Sequence, residues 1–322
     1  MTIQNAQPPV TVLMPAYNAG PYIREAIDSV LRQTFTDFEF LIINDGSTDD
    51  TAAILAGYRD ARISIVNQEN MGLTATLNKG IVLAKGKWIV RFDADDVCYP
   101  DRIKRQSDFL SSNPGHVIVG AAADYMDKDG NYLFTFDVLP SDEEIRAAKF
   151  VHCPFIHSSV MCLKEAIVKA GGYDTEAYTF EDHLLWRNMA DQGKMGNITA
   201  PLIKVRFNPE SVTIDEKWRG EEFRSIKQHA IENGKLAQGD AERLVKIIAG
   251  QNFTKFKAAA YYSMIGKKYL WNQHDPGKAR AHLKQAISIM PARKEPYLLY
   301  LLSFLPKAVV LKLYNKIKGS AK

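Results

Sequence analysis

Three carboxylates gather in the run Phe92-Asp93-Ala94-Asp95-Asp96, which follows the stretch Lys87-Trp88-Ile89-Val90-Arg91. Like charges this close repel, and a fold tolerates them chiefly where a cation shares the charge. Hard divalent ions such as Mg²⁺ and Mn²⁺ take oxygen ligands and often bridge to substrate phosphates. An Asp-x-Asp at a strand end therefore suggests a metal–diphosphate site, although Asp also serves ordinary turns and helix starts. A second acidic pair, Glu181-Asp182, opens a helical stretch that contains Leu185 and Trp186. Carboxylates there already favour a helix N-terminus by about 0.3–1 kcal/mol. Asp45 precedes Gly46 in the segment Asn44-Asp-Gly-Ser-Thr-Asp49. Ser47 or Thr48 is expected to cap the next helix, which leaves the Asp45 carboxylate without a local task. Gly72, in Asn70-Met-Gly72, would let the backbone approach a phosphate or sugar, or simply make a tight turn.

The elements that must hold these residues are legible as alternating patterns. Residues 10–14, 38–44, 62–67 and 88–92 are continuous apolar runs that read as strands, and 22–33, 47–58 and 72–84 carry helical signals. Such alternation implies parallel β-α-β units with both sheet faces covered, an α/β fold with a doubly wound, mainly parallel sheet. Ligands of these sheets bind beyond the carboxyl ends of the strands. Asn18, Asp45, Asn70 and Asp93 all fall there. A helix over 100–112, a strand over 117–123 and a hairpin turn over 127–130 follow. From about Trp218 the pattern is wholly helical. The expected boundary near residue 215 separates a catalytic domain, 1–215, from a helical region, 216–322.

Composition narrows the class. Of the 322 residues 46% are hydrophobic and 24% charged, which is ordinary for a globular protein. The net charge of +4 does not point to nucleic acid. Cys98, Cys153 and Cys162 are odd in number and lack CxxC spacing, so neither a disulfide framework nor a zinc site is expected. A reducing cytoplasm is the natural compartment. The first nine residues show no signal-peptide pattern. No GxGxxG follows the first strand, which disfavours a dinucleotide oxidoreductase.

Taken together, the motifs resemble the inverting glycosyltransferases of family 2, which have the GT-A fold. The resemblance is carried by Pro15-Ala-Tyr-Asn18, Asn44 to Asp49, Asn70-Met-Gly72 with Asn78, Phe92 to Asp96, Gly171-Gly-Tyr-Asp174, and Glu181-Asp182 followed by Leu185-Trp186. It implies metal-dependent transfer of a sugar from a nucleotide-diphosphate donor, expected to be a UDP-sugar, to an acceptor hydroxyl in bacterial polysaccharide or lipid-linked glycan synthesis. It further implies that Asp45 contacts the nucleobase and Tyr17 lies against it, with Pro15, Asn18 and Gly72 around the nucleotide. Asp93 is then the residue facing the ribose, and Asp95 the ligand of Mn²⁺ or Mg²⁺. Asp182 would be the general base, which must lie within reach of the proton it takes. His157, Glu181 and Trp186 fall on the acceptor side, although a hydrogen-bonded core role suits His157 equally. Two other classes stay open. A nucleotidyltransferase would leave Glu181-Asp182 without a task, and a non-catalytic nucleotide-sugar-binding scaffold would leave the whole set Asp45, Asp93, Asp95 and Asp182 unexplained.

The remaining third of the chain carries a different signal. Residues 253–291 resemble one tetratricopeptide helix pair, for which a packing appendage is the simpler reading. Tyr297 to Leu305 is strongly apolar, and Lys307, Lys312, Lys316, Lys318 and Lys322 follow. Pro306 and Lys307 interrupt any full membrane span. Contact with an anionic membrane surface, packing on the transferase domain and a homo-oligomer interface all fit such amphipathic helices.

Overall fold

The computed structural model describes residues 8–207, 220–250 and 254–319, with side chains as far as residue 313. The expected boundary at 215 and the first seven residues lie outside these. The described chain falls into two compact units. The first comprises everything up to Asp124, Thr135–Val205 and Arg224–Glu242; the second comprises Tyr125–Phe134, Arg206 to Phe223 where described, and the described residues from Arg243 onward.

In the first unit β1 (Val10–Ala16), β2 (Phe38–Asp45), β3 (Ile63–Gln68) and β4 (Trp88–Arg91) run parallel in the order β3-β2-β1-β4. β1 and β2 are buried along their whole length, the reason their sequences are continuously apolar. Pro15 fits this central strand because pairing with β4 ends at Leu13, so its missing N–H is not needed on that side. Helix α1 (Ile23–Leu31) buries Ile23, Ala26, Ile27 and Val30 at helical spacing. Helix α3 (Leu73–Leu83) crosses β1 closely. A Cβ added at its Gly80 would stand 2.3 Å from Leu13 Cδ1.

Two expectations are corrected. Helix α2 covers only Thr51–Leu55, because Ser47 and Thr48 bond to the loop at Asn18 instead of capping it. The sheet is parallel only over its first four strands. β8 (Met161–Leu163) pairs antiparallel with both β4 and β6 (His116–Met126), β7 (Tyr132–Phe136) pairs with β6, and β9 (Lys194–Arg206) pairs antiparallel with β5 (Val97–Cys98). Helices α4 (Arg102–Ser112), α5 (Asp142–Ala147), α6 (Lys164–Lys169) and α7 (Glu181–Met189) complete this part.

In the second unit the turn after β6 closes as expected. Gly130, with φ +85°, donates its N–H to Asp127 O at 3.0 Å. Helices Thr254–Lys268 and Pro276–Ile289 pack through Ile265 and Leu283, joined by Leu133 and Phe207. Gly266 permits that contact, since a Cβ there would meet Leu283 Cγ at 2.6 Å. Tyr269 donates its hydroxyl to Asp127 Oδ2 at 3.0 Å. Helices Lys294–Leu302 and Lys307–Gly319 follow. Among the described residues no helix is long and apolar enough to cross a membrane.

Candidate active site

The carboxyl ends of β1 and β2 are laced together by side chains. Asn18 has left-handed backbone (φ +48°), which Asn tolerates better than most residues. Its N–H donates to Ser47 Oγ at 3.0 Å, and its Oδ1 accepts from Thr48 N at 2.8 Å. Tyr17 stands beside this lacing, 52% exposed, with its ring available to a flat ligand.

Asp45 is buried, and its carboxylate organises the next loop. Oδ1 accepts from Gln68 Nε2 at 2.7 Å and Met71 N at 2.8 Å; Oδ2 accepts from Gly72 N at 3.0 Å. The residue that lacked a local task in the sequence thus holds the Asn70–Gly72 segment at the start of α3. Gly46 allows the close approach, because a Cβ there would lie 2.6 Å from Asn70 N. Gly72 takes φ +82° with nothing within 4 Å of a would-be Cβ, so turn geometry, not crowding, requires it.

At the end of β4 Arg91 is buried and forms an ion pair with Asp93, which remains about one-third exposed. Arg102, fully buried on α4, donates to Arg91 O at 2.9 Å and fixes the strand end from behind. Asp96 is buried, its N–H directed at Asp93 O, and Asp95 is half-buried. Among the described residues no three His, Cys, Asp or Glu side chains group to hold a metal. The donors that are present are all carboxylate oxygens. That set suits a hard cation that draws most of its ligands from diphosphate and water, and it does not suit a closed protein cage.

The second acidic pair is built on α7. Asp182 accepts from His183 N at 2.7 Å and from the Cys153 thiol at 3.7 Å. Burial raises its pKa above the ordinary carboxylate value, opposed by these bonds and by the positive charges of Lys227 and Arg91. Glu181 is pushed up to about 7, first by burial and then by the Asp182 charge beside it. Lys227 comes from the helix Glu221–Asn233, with its Nζ 6.0 Å from the centre of the Phe180 ring. Burial lowers its pKa, while Asp182, Cys153 and Glu181 pull the other way. Burial also pushes His183 down to about 3, so this imidazole is neutral at physiological pH.

His157 is half-buried, with Nε2 2.9 Å from Tyr173 Oη, and burial holds its pKa well below the usual value. Trp186 is fully buried and packs edge-on to His157, Tyr173 and Phe155, supporting the acceptor-side candidates from beneath. Asn78 of α3 grips the Gly-Gly-Tyr-Asp segment, donating to Tyr173 O at 2.8 Å and accepting from Tyr173 N at 2.9 Å. A cavity of about 400 Å³ lies against Asn78, Gly172, Tyr173 and Asn188, but both asparagines already donate to protein carbonyls.

Both acidic motifs feel one cation. Arg91 is paired to Asp93, and its charge lowers the pKa of both Glu181 and Asp182. Lys227 and Cys153 had no signal in the sequence. Neither belongs to a motif, and only folding brings them to Asp182.

Residues 11–171 match the family model described as glycosyl transferase family 2. An uncharacterised glycosyltransferase of Rickettsia prowazekii is 34% identical over 56% of this chain, and one of Rickettsia conorii is 32% identical over 62%. The chain spans 58% and 33% of the length of these two relatives. The Bacillus subtilis protein EpsE, named as a glycosyltransferase, is 32% identical over 64% of this chain and 76% of its own. Among solved structures, residues 1–349 of S. aureus TarS in complex with UDP-GlcNAc superpose with a TM-score of 0.56 at 16% identity, covering 95% of this chain and 91% of that one. At that identity the likeness establishes the fold, an α/β GT-A-type sheet followed by helices.

Proposed function

Because the chain belongs to glycosyltransferase family 2, we propose that it transfers a sugar from a nucleotide-diphosphate donor to an acceptor hydroxyl with inversion at the anomeric carbon. The observation that carries this reading is the half-buried Asp182, hydrogen-bonded by His183 N and Cys153 and lying in the field of the same Arg91 that pairs with Asp93. A carboxylate with a raised pKa is a better proton acceptor than an exposed one near neutrality. In the proposed reaction Asp182 takes the proton of the acceptor hydroxyl. That oxygen forms its bond to the anomeric carbon, and the bond from carbon to the diphosphate oxygen breaks to release nucleoside diphosphate. His157 and Tyr173 line the acceptor side, and Glu181 sets the charge beside the base.

On the donor side Tyr17 would cover the base, and Asp45 would serve it chiefly by fixing the loop at Gly72. Asp93 would face the ribose, and Asp95 would hold Mg²⁺ or Mn²⁺. Such a cation, when bound, offsets the negative charge on the departing diphosphate. A UDP-sugar donor is supported by the fold likeness to a protein solved with UDP-GlcNAc. A glycan or lipid-linked acceptor and a cytoplasmic setting complete the reading, the latter supported by three free cysteines.

Asp182→Asn should lower turnover by about 10²–10⁴-fold, the usual share of a general base, while leaving nucleotide affinity in place. Release of UDP from a panel of UDP-sugars in the presence of acceptor glycans measures this. Near-normal turnover in the folded variant would remove Asp182 from the mechanism.

A further inference from the structure

The last described helices of the second unit present an apolar face that no described residue of the unit covers. In Lys294–Leu302 and the turn after it, Pro296, Leu299 and Ser303 are buried, and Leu299 joins the core of the unit. At 100° per residue Leu298 and Leu301 lie on the opposite side, and Lys294 shares that face. Leu298 is 60% exposed, Leu301 66% and Phe304 61%, with Tyr297 and Leu305 exposed beside them. In the next helix Val310 is buried, while Val309, Lys312 and Leu313 are exposed. Exposed large apolar side chains scattered singly need no explanation. A group confined to two consecutive helices does.

Charge decides what could cover this face. Glu295, the single acid in Lys294–Leu302, is engaged by Lys267 and Arg293, each at 3.5 Å. From Pro296 to Lys322 the sequence has no Asp or Glu and five lysines. Arg280 adds a cation over the Phe304 ring at 4.8 Å, and Lys284 another over Tyr300 at 5.9 Å. Two copies of this chain meeting through such faces would set lysines against lysines, which costs several kcal/mol. As described, neither helix is long and apolar enough to cross a membrane. Apolar side chains beside a lysine-rich border instead match helices that lie in the plane of a bilayer surface.

We propose that this face of the second unit docks on an anionic lipid surface, with Leu298, Leu301, Phe304 and Leu305 entering the boundary of headgroups and acyl chains and Lys294, Lys307 and Lys312 meeting acidic headgroups. Each lysine near such a surface adds about 1 kcal/mol, an attraction that salt screens. The inference stands apart from the transfer reaction, so neither result bears on the other.

Co-sedimentation of the full chain with phosphatidylcholine vesicles, with and without phosphatidylglycerol, tests it. The expected result is binding to the anionic vesicles that weakens with salt. It should fall by about tenfold or more in Lys307→Glu/Lys312→Glu, from the lysine increments above, and comparably in Leu298→Ser/Leu301→Ser. All four positions are exposed, so unchanged melting temperatures will show that the variants fold. Equal binding to neutral and anionic vesicles, or variants that bind as the parent does, would overturn the proposal. So would vesicle-free dimers that the leucine pair abolishes.

Discussion

Glu181 and Asp182 are adjacent carboxylates whose burial works against their charge, and this makes them a measurable feature of the fold. Burial and the Asp182 charge push Glu181 from its ordinary value of 4.5 up to about 7 in the folded protein. Between those values the folded state binds more protons than the unfolded one. Stability therefore falls as pH rises across that window and stays lower above it. Glu181→Gln is neutral throughout. Its melting temperature should exceed that of the parent by a few degrees at about pH 8, and the advantage should vanish near and below pH 4.5. Differential scanning fluorimetry at the two pH values checks this; a difference that does not change with pH would mean that Glu181 does not titrate as described. The sequence showed that an acidic pair opened a helix. It could not show the electrostatic setting of the pair, because that depends on Cys153, Lys227 and Arg91, which lie 29, 45 and 91 residues from Asp182 along the chain. Asp45 is the opposite case: its lack of a cap role was legible, and its partners are Gln68 at the end of β3 and the N–H groups of Met71 and Gly72.

The elements that carry the site differ in how openly the sequence declares them. β1 to β4 were readable because strands buried on both faces need unbroken apolar runs. Helix α2 was overextended because Ser47 and Thr48 look like caps, whereas their hydrogen bonds cross to Asn18 on another strand end. The helix Glu221–Asn233 read as part of the helical region, yet Lys227 brings its charge to Asp182, and Asn188 of α7 donates to Gly234 O just beyond the helix end at 2.9 Å. Asp182 thus faces Arg91 from β4, Cys153 from the segment before β8, Lys227 from this helix, and Glu181 and His183 from α7 itself. Removing the Lys227 cation should raise the pKa of the base. In Lys227→Met the acid limb of the kcat/KM profile should move to higher pH, while Lys227→Arg should keep it in place. An acid limb identical in the parent and the methionine variant would contradict this electrostatic role.

Taken whole, the molecule does not separate cleanly along its sequence. The first unit reclaims Arg224–Glu242 from the helical region, and the second takes Tyr125–Phe134 from the sheet region. A linear reading cannot anticipate such exchange, since hydrophobic periodicity reports what is buried and not which neighbour buries it. The family was nevertheless legible, because its motifs sit at strand ends where sheet topology gathers them whatever the intervening segments do. Donor capture and proton removal are thus assigned to separate carboxylates, Asp95 and Asp182. Calorimetric titration of UDP, with and without Mn²⁺, into the parent, Asp95→Ala and Asp182→Asn separates the two tasks. The parent and Asp182→Asn should bind UDP alike, more tightly with Mn²⁺, and Asp95→Ala should lose that gain. Retention of the Mn²⁺ effect in Asp95→Ala, or its loss in Asp182→Asn, would contradict the division of labour.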